Sequence, residues 1–290
     1  MNLILQVGEQ NKFFGVSYDT IFTTLITIAI FLLGYVFNRF YDYRRDLRRL
    51  RDIRKLVLSH LQSLLGPIDE RIQAYLKLGE FLNSQGRGNY TFRQPVIHTD
   101  FLSGLPYTEV FLSFKRGPRK LRNKRIDAFH SVYQAIDFIK SQNASATLLY
   151  SQCTRESGEL RDKWLGAVNS IMSDYDTWLN FDMRNRIPPS EDAFLKEFAS
   201  IVRKVANLEN GTEMDVAFEH LIEPLKVLCL NSKYAADTRS LNLFPRLSDA
   251  VHSYKSLNHL NSVYGQYFLE FAELLKKRRE VIVNAIELIQ

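Results

Sequence analysis

The chain has 290 residues, 46% of them hydrophobic, and its 38 basic and 32 acidic side chains give a net charge of +6. Two cysteines, Cys153 and Cys229, exclude a disulfide framework and fit a reducing compartment. The charge is local: Arg39–Lys55 carries +5 and Lys115–Arg125 carries +7, which leaves −6 on the rest and excludes a nucleic-acid footprint spread over the whole surface.

In chain order, a short N-terminus (residues 1–19) of net charge −1 precedes eighteen uncharged residues, Thr20–Phe37. At ~1.5 Å per residue these reach about 27 Å, close to the ~30 Å hydrocarbon core of a bilayer once a flanking residue is added. A transmembrane helix is predicted over 20–38. A secretory signal would need a basic leader, a shorter apolar core and a small-residue cleavage site, and none is present. The arginines that follow the span instead place the C-terminal body in the cytoplasm and the N-terminus outside a cell (inner) membrane. The sequons at Asn89, Asn143 and Asn210 then fall on the cytoplasmic side. Tyr35, Phe37, Phe40, Tyr41 and Tyr43 suit an aromatic belt, and Arg39, Arg44, Arg45 and Arg48 can meet anionic lipid, whose field decays within ~8–10 Å.

At about 100° per residue, Thr20, Thr24, Thr27, Phe31, Gly34 and Asn38 fall close to one meridian of the span. Such a polar-and-small stripe suits helix association, giving a homo-oligomer, or the wall of a pore that the Phe31 ring closes by dewetting. In the alternative, the threonines bond their own i−4 carbonyls and face lipid singly.

From residue 39 to about 83 a basic juxtamembrane helix is expected, with Leu47, Leu50, Leu58, Leu61, Leu65, Ile68, Ile72 and Leu76 at three- and four-residue steps. Gly66 and Pro67 predict a kink or brief interruption. Ser84–Gly88 reads as a loop, Phe101–Phe114 as one or two short helices, and Gly117–Pro118 as a turn. Two helices follow, about Arg119–Lys140 and Ala144–Phe181. Pro188 and Pro189 mark a boundary between a lobe at 84–187 and a lobe at 188–290. Ser190 can cap a helix to about Leu208, and Thr212 with Asp215 resembles a capping pair. Pro224 predicts a kink, and Pro245 precedes a last helix over about Leu247–Leu288. Alternating strand patterns are scarce, so the fold class is all-α.

The seven cations Lys115, Arg116, Arg119, Lys120, Arg122, Lys124 and Arg125 repel one another unless an anion neutralises them. A nucleotide, RNA, the acidic remainder of the body or plain solvation can do so. Arg125 to His130 spells R-x4-H, which resembles the short motif of HEPN ribonucleases, in which Arg and His at the seam of two helical protomers cut RNA. The likeness covers six residues, and Arg54 with His60 makes a rival R-x5-H. Phosphate loops, nucleophile elbows and H-E-x-x-H or C-x-x-C motifs are absent, and no cofactor or metal is expected. His252 and His259 read as exposed, Glu156, Glu159 and Asp162 as the wet side of a helix, and Trp164 and Trp178 as core anchors. The expectation is a non-enzymatic membrane sensor, effector or scaffold that self-associates and meets an unidentified protein partner. This is the layout of membrane effectors in bacterial stress and antiviral systems. The alternative is a membrane-tethered HEPN-like ribonuclease using Arg125 and His130.

Overall fold

The computed structural model describes residues 12–13, 16–84, 92–102, 104–116, 118–184, 192–208, 210–211 and 213–290. Helix accounts for nearly all of them. A two-residue antiparallel pair, β1 (Lys12–Phe13) and β2 (Val16–Ser17), leads into α1 (Tyr18–Asn83). A 3-10 turn (Asp100–Leu102) and α2 (Tyr107–Lys115) follow, and a second 3-10 turn (Arg119–Leu121) feeds α3 (Arg122–Arg184). Then come α4 (Ala193–Ala206), α5 (Met214–Ala217), a π turn (Phe218–Ile222), α6 (Glu223–Leu230) and α7 (Thr238–Ile289). The chain is therefore all-α: one long apolar N-terminal helix continues into a multi-helix body.

Three boundaries differ from the predicted ones. Helix α1 runs unbroken through Gly66 and Pro67, because Leu64 and Ile68 on either side are buried and their packing outweighs the one backbone bond that proline removes. Helix α3 runs through residues 140–144, where a gap is predicted. The polar side chains there find partners without leaving the helix. The Ser141 hydroxyl donates to the Phe138 carbonyl at 2.9 Å, Gln142 Nε2 to the Phe271 carbonyl at 2.9 Å, and Asn143 Oδ1 accepts from Gln94 at 2.7 Å. Helix α7 starts ahead of Pro245, at Thr238, behind Asp237, whose carboxylate accepts from the Arg239 N–H at 2.8 Å.

The Pro188–Pro189 boundary, Ser190, Thr212 and most of the 84–88 loop lie outside the described residues. The N-cap of α4 is Asp192, which accepts from Leu195 N at 2.9 Å and pairs with Arg239 at 2.6 Å. Burial alone would raise its pKa, but those bonds bring it below the ordinary aspartate value. Asp215 lies in the first turn of α5 and accepts from the Tyr254 hydroxyl at 2.7 Å. Pro224 follows directly on the π turn that joins α5 to α6, so its missing N–H falls where the regular α ladder is already interrupted.

The chain forms two compact units: one of Met1–Ser63, Asp100–Ser131 and Asn284–Gln290, the other of Leu64–Thr99 and Val132–Val283. In the first, Val57, Leu61, Val110, Phe114 and Phe129 are buried, and the Phe129 ring meets Tyr107, Phe111 and Phe114 edge-on at 5.1, 5.3 and 5.4 Å. In the second, Trp164, Phe194, Phe198, Phe218 and Leu247 share one core. There the Phe218 and Tyr254 rings stack at 3.7 Å, and Trp178 lies edge-on to Phe194 and Phe198 at 6.1 and 6.2 Å. Both tryptophans thus serve as core anchors.

Within the second unit α1 and α7 approach backbone to backbone at Gly79 and Gly265. A Cβ at Gly79 would come within 2.8 Å of Leu269 and 2.9 Å of the Gly265 carbonyl, and one at Gly265 within 3.0 Å of the Gly79 carbonyl. Glycine is required there by contact. A Cβ at Gly166, on α3, meets nothing within 4 Å. Gly79→Ala is expected to destabilise by about 1–3 kcal/mol, since overpacking exceeds the helix-propensity gain. Gly166→Ala should stabilise by about 0.5–1 kcal/mol. Denaturant melts of the full chain in detergent check the opposite signs.

Candidate functional site

The site grows from a corner that the sequence breaks on purpose. Helix α2 ends at Lys115, Arg116 turns extended (ψ 133°), and Pro118 is also extended (ψ 132°) before the 3-10 turn restarts the helix. Proline forces the preceding stretch off helical geometry, so consecutive cations fan out over a corner instead of circling a helix. That corner lies against α1 in the first unit. Arg116, Arg119, Arg122 and Lys115, with Tyr43, Leu50 and Leu112, line a groove of about 420 Å³. A second pocket of about 230 Å³ shares Leu50 and Arg116 with it and adds Arg51, Arg54, Leu47 and Ser113. The two basic segments, which the sequence presents 60 residues apart, make one cationic groove.

No carboxylate lines either part among the described residues. Glu109 on α2 is held by Arg49 at 2.6 Å, and Asp46 lines the adjoining pocket that shares Tyr43 with the groove. Burial, and after it the neighbouring Arg125 guanidinium, lower the pKa of Arg54 from the ordinary arginine value. The groove is therefore crowded with like charge.

The predicted site residues divide accordingly. Of the seven patch cations, Lys115, Arg116, Arg119 and Arg122 line the groove, while Lys120 and Lys124 are exposed outside its lining. Arg125 does neither. It is buried, and it donates from Nε to the Leu288 carbonyl and from Nη1 to the Arg116 carbonyl, both at 2.7 Å, tying the corner to the end of α7. His130 is exposed beside the Phe129 and Phe111 rings. Five helical positions separate it from Arg125, about 140° around the helix, so the two side chains leave α3 on different sides. Arg54 and Arg51 are the groove residues that composition alone did not single out. Arg125 carried a usable signal: with Phe129, Val132 and Ile136 it continues the buried i, i+4, i+7, i+11 face, where a cation reads as structural.

Nearer the span, Arg39 lines a pocket of about 490 Å³ with Tyr35, Val36, Phe40, Asp42, Tyr43 and Asp46. Arg44 lies over the Phe40 ring at 4.8 Å, Arg45 pairs with Asp42 at 3.2 Å, and Arg48 is exposed. In the span, Thr20, Thr24, Thr27, Phe31, Gly34 and Asn38 are all exposed. Thr24 and Thr27 donate to the carbonyls of Thr20 and Thr23 at 2.7 and 2.8 Å, so those hydroxyls have partners within their own helix. His252, His259, Glu159 and Asp162 are exposed, whereas Glu156 accepts from the Tyr264 hydroxyl at 2.9 Å. Among the described residues no group of three or more His, Cys, Asp or Glu is placed to hold a metal.

Fold and groove together define an all-α chain with one helix long and apolar enough to cross a membrane. No family model, curated protein or solved structure matches it.

Removing Arg125 leaves two carbonyls without their donor. Arg125→Ala is expected to destabilise the full chain by about 2–4 kcal/mol, and Lys124→Ala by less than about 0.5 kcal/mol. Thermal melts distinguish this from a purely catalytic or ligand-binding arginine, whose loss would leave the melt unchanged.

Proposed function

We propose that the chain is a single-pass membrane protein, anchored by residues 20–38, whose helical body works on the cytoplasmic side as a non-enzymatic sensor, effector or scaffold. One observation carries this: no part of the chain among the described residues covers the apolar stretch of α1. Between Phe22 and Phe37, eleven large hydrophobic side chains are exposed. At about 1.5–3 kcal/mol each, leaving them in water would cost some 15–30 kcal/mol. A bilayer supplies cover for an apolar stretch of this length, which supports the anchor. The basic flank from Arg39 onward supports the orientation.

Copies associate through the face that bears Thr20, Thr24, Thr27 and Gly34. Gly34 supports this, because a Cβ there meets no atom of the chain within 4 Å, so its own fold does not require glycine. A membrane helix pair does, since close approach depends on small residues.

Two measurements test the reading. The chain should stay with membranes through alkaline carbonate washing, and a C-terminal fluorescent fusion should be bright where a C-terminal alkaline phosphatase fusion is inactive. Release by carbonate, or an active phosphatase, overturns anchor or orientation. In membranes, Gly34→Leu should reduce cross-linked dimer several-fold while Ala29→Leu, about 180° from Thr20 and 140° from Gly34, leaves it unchanged. Equal cross-linking removes the association.

A further inference from the structure

We propose that the groove at the α2–α3 corner binds a small soluble anion of nucleotide type, with two or more phosphate groups and a flat apolar part. Six cations converge there from two elements: Arg51 and Arg54 on α1, and Lys115, Arg116, Arg119 and Arg122 at the corner. No carboxylate among the described residues lines the groove, so an anion from outside the chain would relieve the repulsion. Arginine predominates over lysine, five to one, and its planar fork matches phosphate oxygens two at a time. The dimensions, about 420 Å³ and 230 Å³ in two joined parts, suit a small molecule.

The apolar wall gives the second half of the ligand. Tyr43 and Leu112 are 59% and 41% exposed, and with Leu50 they form a surface beside the cations on which a ring can lie. Inorganic phosphate alone would leave that surface uncovered.

Distance along the helix decides between a soluble anion and a lipid headgroup; this step rests on the anchor at residues 20–38. At ~1.5 Å per residue Leu50 lies about 20 Å beyond Phe37 and Arg54 about 26 Å. Even a 40° tilt leaves Leu50 about 15 Å out. Headgroups occupy only ~5–8 Å of each leaflet. On the same count Arg39 stands about 3 Å beyond Phe37, within that layer, Tyr43 about 9 Å, at its outer edge, and the α1 cations of the groove, Arg51 and Arg54, stand beyond it.

The full chain in nanodiscs of pure phosphatidylcholine, titrated with adenosine triphosphate, should show saturable binding that weakens with salt. Inorganic tripolyphosphate should bind more weakly. Arg116→Glu with Arg119→Glu should lower affinity about 100-fold, roughly tenfold for each lost charge-assisted contact. Lys163→Glu with Lys255→Glu, equal in charge and outside the groove, should change it less than twofold. Should the double arginine variant misfold, Tyr43→Ala still tests the site: it should weaken adenosine triphosphate and leave tripolyphosphate unchanged. Absence of binding by either phosphate probe overturns the proposal. So does tighter binding of single-stranded RNA with loss in the Lys120→Glu, Lys124→Glu variant, or phosphate-probe binding abolished when phosphatidylglycerol is placed in the discs, which would assign the groove to lipid. Failure to enter discs refutes the anchor separately, because the same titration in detergent still reads the groove.

Discussion

The register of a continuous α-helix is the constraint on which the arrangement of this chain depends. Helix α1 carries the apolar span, the basic collar and one wall of the groove without a break. Because the rise per residue is fixed, the distance between Phe37 and any later residue of α1 in the first unit is set by counting and not by packing. Counted this way, Arg39 lies about 3 Å along the helix from Phe37, Arg44 about 11 Å, and Arg51 and Arg54 about 21 and 26 Å. A flexible linker after the span would lose this ruler, since its reach would vary with the square root of its length.

Continuity is also the cheapest choice physically. Backbone groups in hydrocarbon must bond within the helix, and once a helix is nucleated each further residue adds a bond at little entropic cost. Thr23, Thr24 and Thr27 follow the same economy, each donating its hydroxyl to a carbonyl four residues back. Past the span the helix needs a packed face. It has one in Val57 and Leu61 in the first unit, then in Ile68, Ile72 and Tyr75 in the second.

These faces were readable because periodicity is a local property. Phe129, Val132, Ile136 and Ile139 are predicted on one side of a helix and are buried there. The residues read on α1 as Leu58, Leu65 and Leu76 flank the buried line rather than form it, and Leu61, Leu64, Ile68 and Ile72 mark its centre. Polar or proline-bearing junctions misled for a physical reason. Ser141, Gln142 and Asn143 look like a gap until Phe271 and Gln94 are there to bond them, and Pro245 looks like a start until buried Leu243 and Leu247 hold the helix on both sides. The groove was half readable: the charge at 115–125 is plain in the sequence, but its closure onto Arg51 and Arg54 is tertiary. No periodicity or composition reports it.

Charge pairing elsewhere shows how unusual the groove is. In the second unit, acids and bases meet: Asp69 with Arg279, Asp174 with Arg246, and Asp192 and Asp237 with Arg239. Glu156 and Glu197 are engaged by tyrosine hydroxyls. In the first unit Arg45 and Arg49 take Asp42 and Glu109, and the groove cations are left without a carboxylate among the described residues. Like charges gathered at a corner oppose folding. Stability alone would favour a neutral residue at Arg116 or Arg119, both of which are exposed and support no core. The anion proposed for the groove would supply the missing partner and would couple its arrival to α1, because both walls of the groove must hold still to share it. A ligand that binds one arrangement of that corner better than another shifts the population toward it. The element so biased is the helix that continues into the span.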